Sequence, residues 1–388
     1  MRKTIFILFT IWLNLSLAQT TLPKLGNDTL LDVACWNIEW FGDVSNGPTD
    51  EVTQYNSVKR VLEQTGIDVW GLCEVSNNST FSTLLSDLSS IYSGVNSTFS
   101  ATQKMALLYK NSMFTLIPSL TFNIPVNSSQ NFQFASRPPL QVALQTKGGT
   151  RTDTLFFLVV HLKALSDQDS YNRRVASSAI LKSYVETNLA GKKFMIIGDW
   201  NDMLRFSTFN QNTTPFKIFL DDNYLFISKR LEEAGRRSYA FSASFIDHIM
   251  LSKNVDSLYI QNSSNVWDNA GTFISNFSNN TSDHYPVWGF FDWKKLTTLP
   301  KVDTPTTSVK SFNEEYFINL FPNPVINQIS ITTNLPYWKA SIYNSFGTII
   351  KEFDSENIEN DISNLSIGVY YIQITANNYS AYKMFVKQ

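Results

Sequence analysis

Short continuous apolar runs alternate along most of this chain with stretches whose apolar positions recur at helical spacing. Leu31 to Trp40 and Asp68 to Val75 read as strands. Between them, Asn56 to Thr65 carries Val58, Val61 and Leu62 on one helical face, so the chain opens with a β-α-β pattern. Further strands are predicted at Met105 to Tyr109, Pro139 to Gln145, Thr154 to His161, Phe194 to Gly198, Phe245 to Leu251 and Val287 to Phe291, with a long helix over Gln168 to Leu189. Many strands with helices between them imply an α/β class in which two sheets pack together and helices cover the outside.

The pattern breaks twice. Met1 to Ala18 has a basic start (Arg2, Lys3), an apolar run from Ile5 to Leu13 and small residues at Ser16-Leu17-Ala18, the layout of a cleaved signal peptide. Nothing later approaches the length of apolar sequence that spans a bilayer, so no membrane span is expected. From Lys294 to Ser311 the chain is rich in Thr, Pro and Lys and reads as an extended tether. Beyond it, alternation at Gln328 to Ile331 and at Tyr370 to Ile374 predicts a small β-sandwich. The expected organisation is a signal peptide over 1–18, a large domain over 19–294, a linker over 295–314 and a C-terminal β-domain over 315–388, the whole acting as a monomer.

With 31 basic and 33 acidic residues the net charge is −2, so no global field draws polyanions to the chain, and any phosphate recognition must be local. A 43% share of hydrophobic residues leaves ample material for a large core. Cys35 and Cys73 would permit one disulfide in an exported protein, but each sits inside an apolar strand, which favours two buried thiols.

Candidate chemistry gathers where strands end. Asn37 and Glu39 follow Val33 to Trp36, Glu74 follows Val69 to Cys73, His161 ends its run, and Asp199 and Asn201 follow Phe194 to Gly198. Asp247 and the pair Asp283-His284 complete the set. The chain has three histidines, His161, His248 and His284, all placed within or beside apolar runs rather than on polar surface. A lone Asp after a strand is ordinarily a turn or cap residue, and His248 alone would pass for a core histidine. Several buried carboxylates on one rim, however, require a cation, a histidine or hydrogen-bond donors. Magnesium suits one or two carboxylates completed by water and a substrate phosphate, whereas zinc would ask for more imidazole or thiolate.

The segments Trp36-Asn37-Ile38-Glu39-Trp40-Phe41-Gly42, Cys73-Glu74-Val75, Val160-His161-Leu162-Lys163, Gly198-Asp199-Trp200-Asn201-Asp202, Ile246-Asp247-His248-Ile249 and Ser282-Asp283-His284-Tyr285-Pro286, in this order, resemble the motifs of the endonuclease/exonuclease/phosphatase family of metal-dependent phosphohydrolases. The resemblance covers about Leu31 to Trp293. It implies a four-layer α/β sandwich with the site on the rim between two sheets. It further implies Mg²⁺, with Mn²⁺ or Ca²⁺ as alternatives, held mainly by Glu74 with Asn37 and Asp283 nearby. Asp199 and Asn201 would then position the attacking water and the phosphate, and His284, paired with Asp247, would act as base or charge stabiliser. His161 would hydrogen-bond a phosphoryl oxygen or protonate the leaving group. Arg137, in Ser136-Arg137-Pro138-Pro139, matches a family position that touches substrate phosphate, although a surface arginine before two prolines is as ordinary. One departure stands out: pancreatic-type nucleases place a carboxylate behind the histidine corresponding to His161, and Gln103 stands there here. His248 is left outside the catalytic set.

Leu320-Phe321-Pro322-Asn323-Pro324, Ile342 to Gly347, Leu365 to Tyr371 and the closing Lys383 to Lys387 resemble the C-terminal sorting domain of the type IX secretion system, over about Phe317 to Gln388. That resemblance implies dealings with the secretion machinery and an extracellular or outer-cell-surface location; an adhesive β-module is the other reading. Sequons such as Asn78-Ser79-Thr80 and Asn96-Ser97-Thr98 arise by chance in an Asn- and Ser-rich chain. The expected function is that of a secreted, metal-dependent phosphodiesterase, foremost an extracellular nuclease acting on DNA or RNA. Alternatives are a phosphomonoesterase or a phospholipid-type phosphodiesterase, against which the chain shows no long apolar hairpin suited to membrane insertion unless Phe206 to Phe226 holds one, and a non-catalytic surface-binding protein on the same scaffold.

Overall fold

A computed structural model of the chain describes residues 21–48, 50–298, 317–335, 337–344, 347–356, 360–376 and 379–388. The expected signal peptide and the linker beyond residue 298 lie outside the described residues. These fall into two compact units, one before and one after the segment 299–316.

The larger unit holds two sheets. The first contains β1 (Leu31–Phe41), β2 (Val69–Val75), β3 (Tyr92–Asn96), β4 (Lys104–Lys110), β12 (Asn265–Val266) and β13 (Val287–Phe291), in the order β12-β13-β1-β2-β4-β3. The second contains β5 (Phe114–Leu116), β6 (Phe122–Asn123), β7 (Leu140–Thr146), β8 (Thr154–His161), β9 (Lys193–Asp199), β10 (Leu225–Phe226) and β11 (Asp247–Leu251), in the order β10-β11-β9-β8-β7-β5 with β6 on β7. Each sheet has one parallel pair at its centre, β1 with β2 and β8 with β9, and the remaining pairings are antiparallel.

Parallel neighbours need a crossover, and a helix supplies each one. Between β1 and β2 runs α1 (Glu51–Gln64), capped where the Asp50 side chain accepts from Thr53 N. Between β8 and β9 runs α2 (Gln168–Asn188), capped by Asp167 on Ser170 N. Val58, Val61 and Leu62 of α1 are buried against the first sheet, and Leu181 and Val185 of α2 against the outer face of the second. In β8 the period-two alternation is clean: Leu155, Phe157 and Val159 enter the core between the sheets, while Phe156, Leu158 and Val160 enter the layer under α2. This is the expected four-layer α/β sandwich.

The sheets approach closely. A Cβ on Gly71 would stand 2.5 Å from Ile197 Cδ1 of the facing sheet. Cys35 and Cys73 look the same way, both buried free thiols, with Cys73 Sγ 3.2 Å from the Val160 carbonyl. Phe206 to Phe226 turns inward: Phe216, Phe219 and Phe226 surround Trp200 with ring centroids 4.9, 6.1 and 5.2 Å away. Those three rings are spent on the core. No described helix is long and apolar enough to cross a membrane. The chain stays regular past the expected domain edge at residue 294, because a short helix over Trp293–Thr297, capped by Asp292, buries Leu296 and Thr297.

The smaller unit pairs β14 (Ile318–Phe321) with β15 (Ser330–Thr333), and builds a four-stranded sheet from β16 (Lys339–Tyr343), β17 (Ile349–Asp354), β18 (Gly368–Ala376) and β19 (Tyr379–Lys387) in the order β17-β16-β18-β19. Ile318, Ile329, Ile342, Ile372, Ile374 and Phe385 share its core. It is a small β-domain, as expected.

Candidate active site

The topology brings the polar strand ends together. Asn37 and Glu74 lie at the C-terminal ends of the parallel pair β1 and β2, and His161 and Asp199 close the parallel pair β8 and β9, directly opposite one another in register. Because β11 runs antiparallel to β9, its first residue, Asp247, pairs with the last residue of β9, Asp199. Asp283 and His284 arrive in the loop that enters β13. The backbone is bent to deliver these groups. β1 and β2 lose register between Asn37 and Phe41, and Glu39, Trp40 and Glu74 adopt φ of 44°, 47° and 65°. At Gly198, φ is 134° and a Cβ would meet the Val160 carbonyl at 2.2 Å, so only glycine fits before Asp199.

Asn37 stands between two carboxylates: its Nδ2 donates to Glu74 Oε1 and to Asp199 Oδ2, each at 3.0 Å, while its Oδ1 accepts from Glu39 N. Glu74 Oε2 also accepts from Trp40 N at 2.9 Å. His161 Nε2 lies 3.6 Å from Glu74 Oε1 and 3.7 Å from Asp199 Oδ2. His284 Nδ1 meets Asp247 Oδ2 at 2.7 Å, and its Nε2 looks across to Asp199 Oδ2 at 3.8 Å and Asp283 Oδ1 at 3.9 Å. Asn201 N donates to Asp199 Oδ1, and Asn201 Nδ2 to the Leu162 carbonyl. Glu74, His161, Asp199, Asn201, Asp283 and His284 open into one cleft of about 700 Å³.

Burial and mutual charge set the protonation states. Burial pushes Asp199 up to about 7, against the pull of the His284 charge. Burial alone would lower His284, but Asp247, Asp199 and Asp283 outweigh it and hold the ring protonated, well above its ordinary value. His161 goes the other way: burial first, then the charges of Arg137 and His284, hold it well below its ordinary value and therefore neutral. Burial also raises Asp283.

Arg137 is neither a surface arginine nor part of the cleft wall. It is buried at 7% exposure and donates to Gln103 Oε1 at 2.6 Å and to the Leu162 carbonyl at 2.9 Å, which props the segment after His161. Gln103 spends its side chain on Arg137, and no charged partner stands behind His161 Nδ1 among the described residues. His248 is packed among Phe216, Phe226 and Phe245, with Ser228 Oγ on one ring nitrogen and the Asp202 carbonyl on the other; burial lowers it to about 4. It is a core histidine.

Glu39 is the residue that sequence reasoning noted without assigning. Its Oε2 accepts from Asp283 N at 2.9 Å, and burial followed by the Asp283 charge raises it to about 8. The positive φ that turns it inward leaves no mark in a one-dimensional pattern.

Ligand atoms of Asp199, Asp247 and His284 lie within 4.8 Å of one another, and buried Asp247 Oδ1 has no hydrogen-bond partner. With Glu39, Glu74 and Asp283 alongside, carboxylates outnumber the cations facing them, a donor set that fits a divalent metal.

The site is thus a rim of carboxylates and histidines between two packed sheets, the arrangement of a hydrolytic centre in the phosphoesterase-type family that the sequence matches. Residues 34–284 match the Endonuclease/Exonuclease/phosphatase family, and the chain belongs to it. Residues 319–388 match a secretion system C-terminal sorting domain, which addresses the protein to secretion and the cell surface. No curated protein matches the chain. Solved structures with similar folds include TDP2 from C. elegans (16% identity, 68% of this chain and 75% of that one, TM-score 0.47) and the human Nocturnin catalytic domain with bound sulfate (18%, 68% and 94%, 0.46). An endonuclease/exonuclease/phosphatase from Bacteroides vulgatus is similar over 68% of this chain and 98% of that one (13%, 0.46). Enzymes of this family are typically dependent on a divalent metal.

Proposed function

We propose that this secreted hydrolase is a Mg²⁺-dependent phosphodiesterase that acts as a monomer on nucleic acid. The observation that carries the reading is the meeting of Glu74, His161, Asp199 and His284, drawn from both sheets, in one cleft, with Asp247 buried behind His284. A bound divalent ion, held through Glu74 and Asp283 with Asn37 beside them, would supply positive charge to the phosphate oxygens. Mn²⁺ or Ca²⁺ could stand in for Mg²⁺.

The remaining roles follow from protonation. Asp199, with its affinity for a proton near neutrality, is suited to orient an attacking water and accept its proton, and Asn201 N–H fixes the other carboxylate oxygen. His284, cationic beside Asp247, stabilises charge growing on the phosphoryl oxygens. His161 is neutral and has no charged partner behind Nδ1 among the described residues, so it serves as a hydrogen-bond donor to a phosphoryl oxygen rather than as a proton source. Arg137 acts behind it by holding Leu162.

Glu74→Gln tests the metal mechanism. The variant should keep the fold and lose nearly all turnover, and EDTA should silence the wild type in the same way. Full activity of the variant in EDTA would sink the reading.

A further inference from the structure

Helix α1 buries Gln54, Val58, Val61 and Leu62 along one stripe, so an amide occupies a position that the helical period reserves for an apolar side chain. Gln54 is fully buried, and its Oε1 has no hydrogen-bond partner. An unsatisfied buried acceptor is a cost that leucine or methionine would avoid, so the value of this amide lies at its other end. There Nε2 donates towards three carbonyls, those of Ile38 at 3.0 Å, Glu39 at 2.6 Å and Thr281 at 3.3 Å. Three acceptors around one atom also fix which end of the amide is the nitrogen.

The carbonyls it holds belong to the two segments that carry candidate metal ligands. β1 and β2 lose register between Asn37 and Phe41, so the carbonyls of Ile38 and Glu39 fall where the ladder lapses. Glu39 and Trp40 there take φ of 44° and 47°, a left-handed bend that persists only where surrounding contacts enforce it. The bend aims Trp40 N at Glu74 Oε2 and brings Glu39 Oε2 to Asp283 N, each at 2.9 Å. Thr281 leads directly into Ser282-Asp283-His284, where the Ser282 hydroxyl donates to the Asn37 carbonyl at 2.6 Å and accepts from His284 N at 3.0 Å. One side chain of α1 thus grips the backbone on both sides of the junction between β1 and the loop that enters β13.

We propose that Gln54 is a positioning residue for the metal: by pinning the bend at Ile38 and Glu39 to Thr281, it sets the separation of Glu74 and Asp283. The proposal rests on the reading that these carboxylates hold a divalent ion. Mg²⁺ demands nearly ideal octahedral geometry, whereas Ca²⁺ accepts a larger and more variable shell. A clamp of this kind favours Mg²⁺, and its loss should weaken Mg²⁺ binding more than Ca²⁺ binding. A side chain that merely stabilised the fold would leave the ratio between the two ions alone.

The test titrates Mg²⁺ alone and Ca²⁺ alone into the full-length wild type and into Gln54→Met by calorimetry, with thermal unfolding followed in parallel. Methionine keeps the length of the side chain and removes the amide. Its Mg²⁺ dissociation constant should rise about tenfold or more, the scale of losing a group that orients a metal ligand, and its Ca²⁺ constant should rise less. If Gln54→Met does not fold, Gln54→Asn, whose amide is one methylene too short for the three carbonyls, is titrated in its place with the same expectation. An unchanged Mg²⁺ constant overturns the clamp, as does an equal weakening of both ions. Wild type that binds neither ion would defeat the metal reading itself, and the clamp would fall with it.

Discussion

Arg174 Nε donates to Asp202 Oδ2 at 2.8 Å with both side chains shut away from solvent. The same guanidinium reaches the carbonyls of Lys163 and Leu165 at 2.7 and 2.8 Å, and Asp202 also accepts from Ser207 Oγ, Met203 N and Thr208 N. One buried pair therefore joins the segment after His161 to the segment after Asp199, which sets the spacing between the two.

Removing either partner leaves the other charge buried and unpaired. Arg174→Met should therefore cost about 3–5 kcal/mol of stability, read as a lowered urea midpoint. An unchanged midpoint would show that the pair contributes no net stabilisation.

The histidines should separate cleanly. His161→Ala and His284→Ala should each reduce kcat by roughly 10²-fold or more, since each faces the reacting phosphate in the proposed mechanism. His248→Asn should act on stability instead, by about 1–3 kcal/mol for the disturbed contacts with Ser228 and Asp202, with kcat of the folded enzyme largely kept. Equal losses of kcat at all three positions would contradict this division.

Much of this was legible beforehand. β8 and β13 fall where continuous apolar runs predict them, and six polar strand ends named from sequence do converge, because one face or end of each run had to be polar for no packing reason. What stayed hidden depends on local chemistry that a period cannot report. α1 starts at Glu51 rather than Asn56, since the Asp50 cap, not apolar spacing, begins it. β11 starts at Asp247 rather than Phe245, because the Ser238 hydroxyl takes the N–H groups of Ile246 and Asp247. The sequence left Arg137 between a phosphate contact and a surface arginine, and its burial stayed hidden because its partners Gln103 and Leu162 are remote in sequence.

Asp32 provides a pH signature away from the active site. Burial and then the charge of Asp68 raise it to about 8, and its Oδ1 has no partner. In the unfolded chain the same carboxyl would titrate near 4. The folded state therefore holds an extra proton between these values, so its contribution to stability is full below about pH 4 and is lost as pH rises towards 8. Asp32→Asn should flatten that decline in urea titrations over this range. A decline of the same steepness in the variant would assign it to other groups.

The C-terminal unit has its own core, and the catalytic unit runs in regular structure to Thr297. A chain ending at Lys301 should therefore fold and keep its hydrolytic activity but fail to reach the cell surface, as followed by fractionating the producing cells. Loss of hydrolysis in a folded, truncated protein would make the tail part of the enzyme.

The central claim is tested most directly by incubating the purified protein with plasmid DNA, RNA, sphingomyelin and inositol phosphates, each with Mg²⁺ or with EDTA. Cleavage of nucleic acid in Mg²⁺, absent in EDTA, is the expected result. Turnover confined to the lipid or the inositol phosphates, or nucleic acid cleavage that persists undiminished in EDTA, would contradict it.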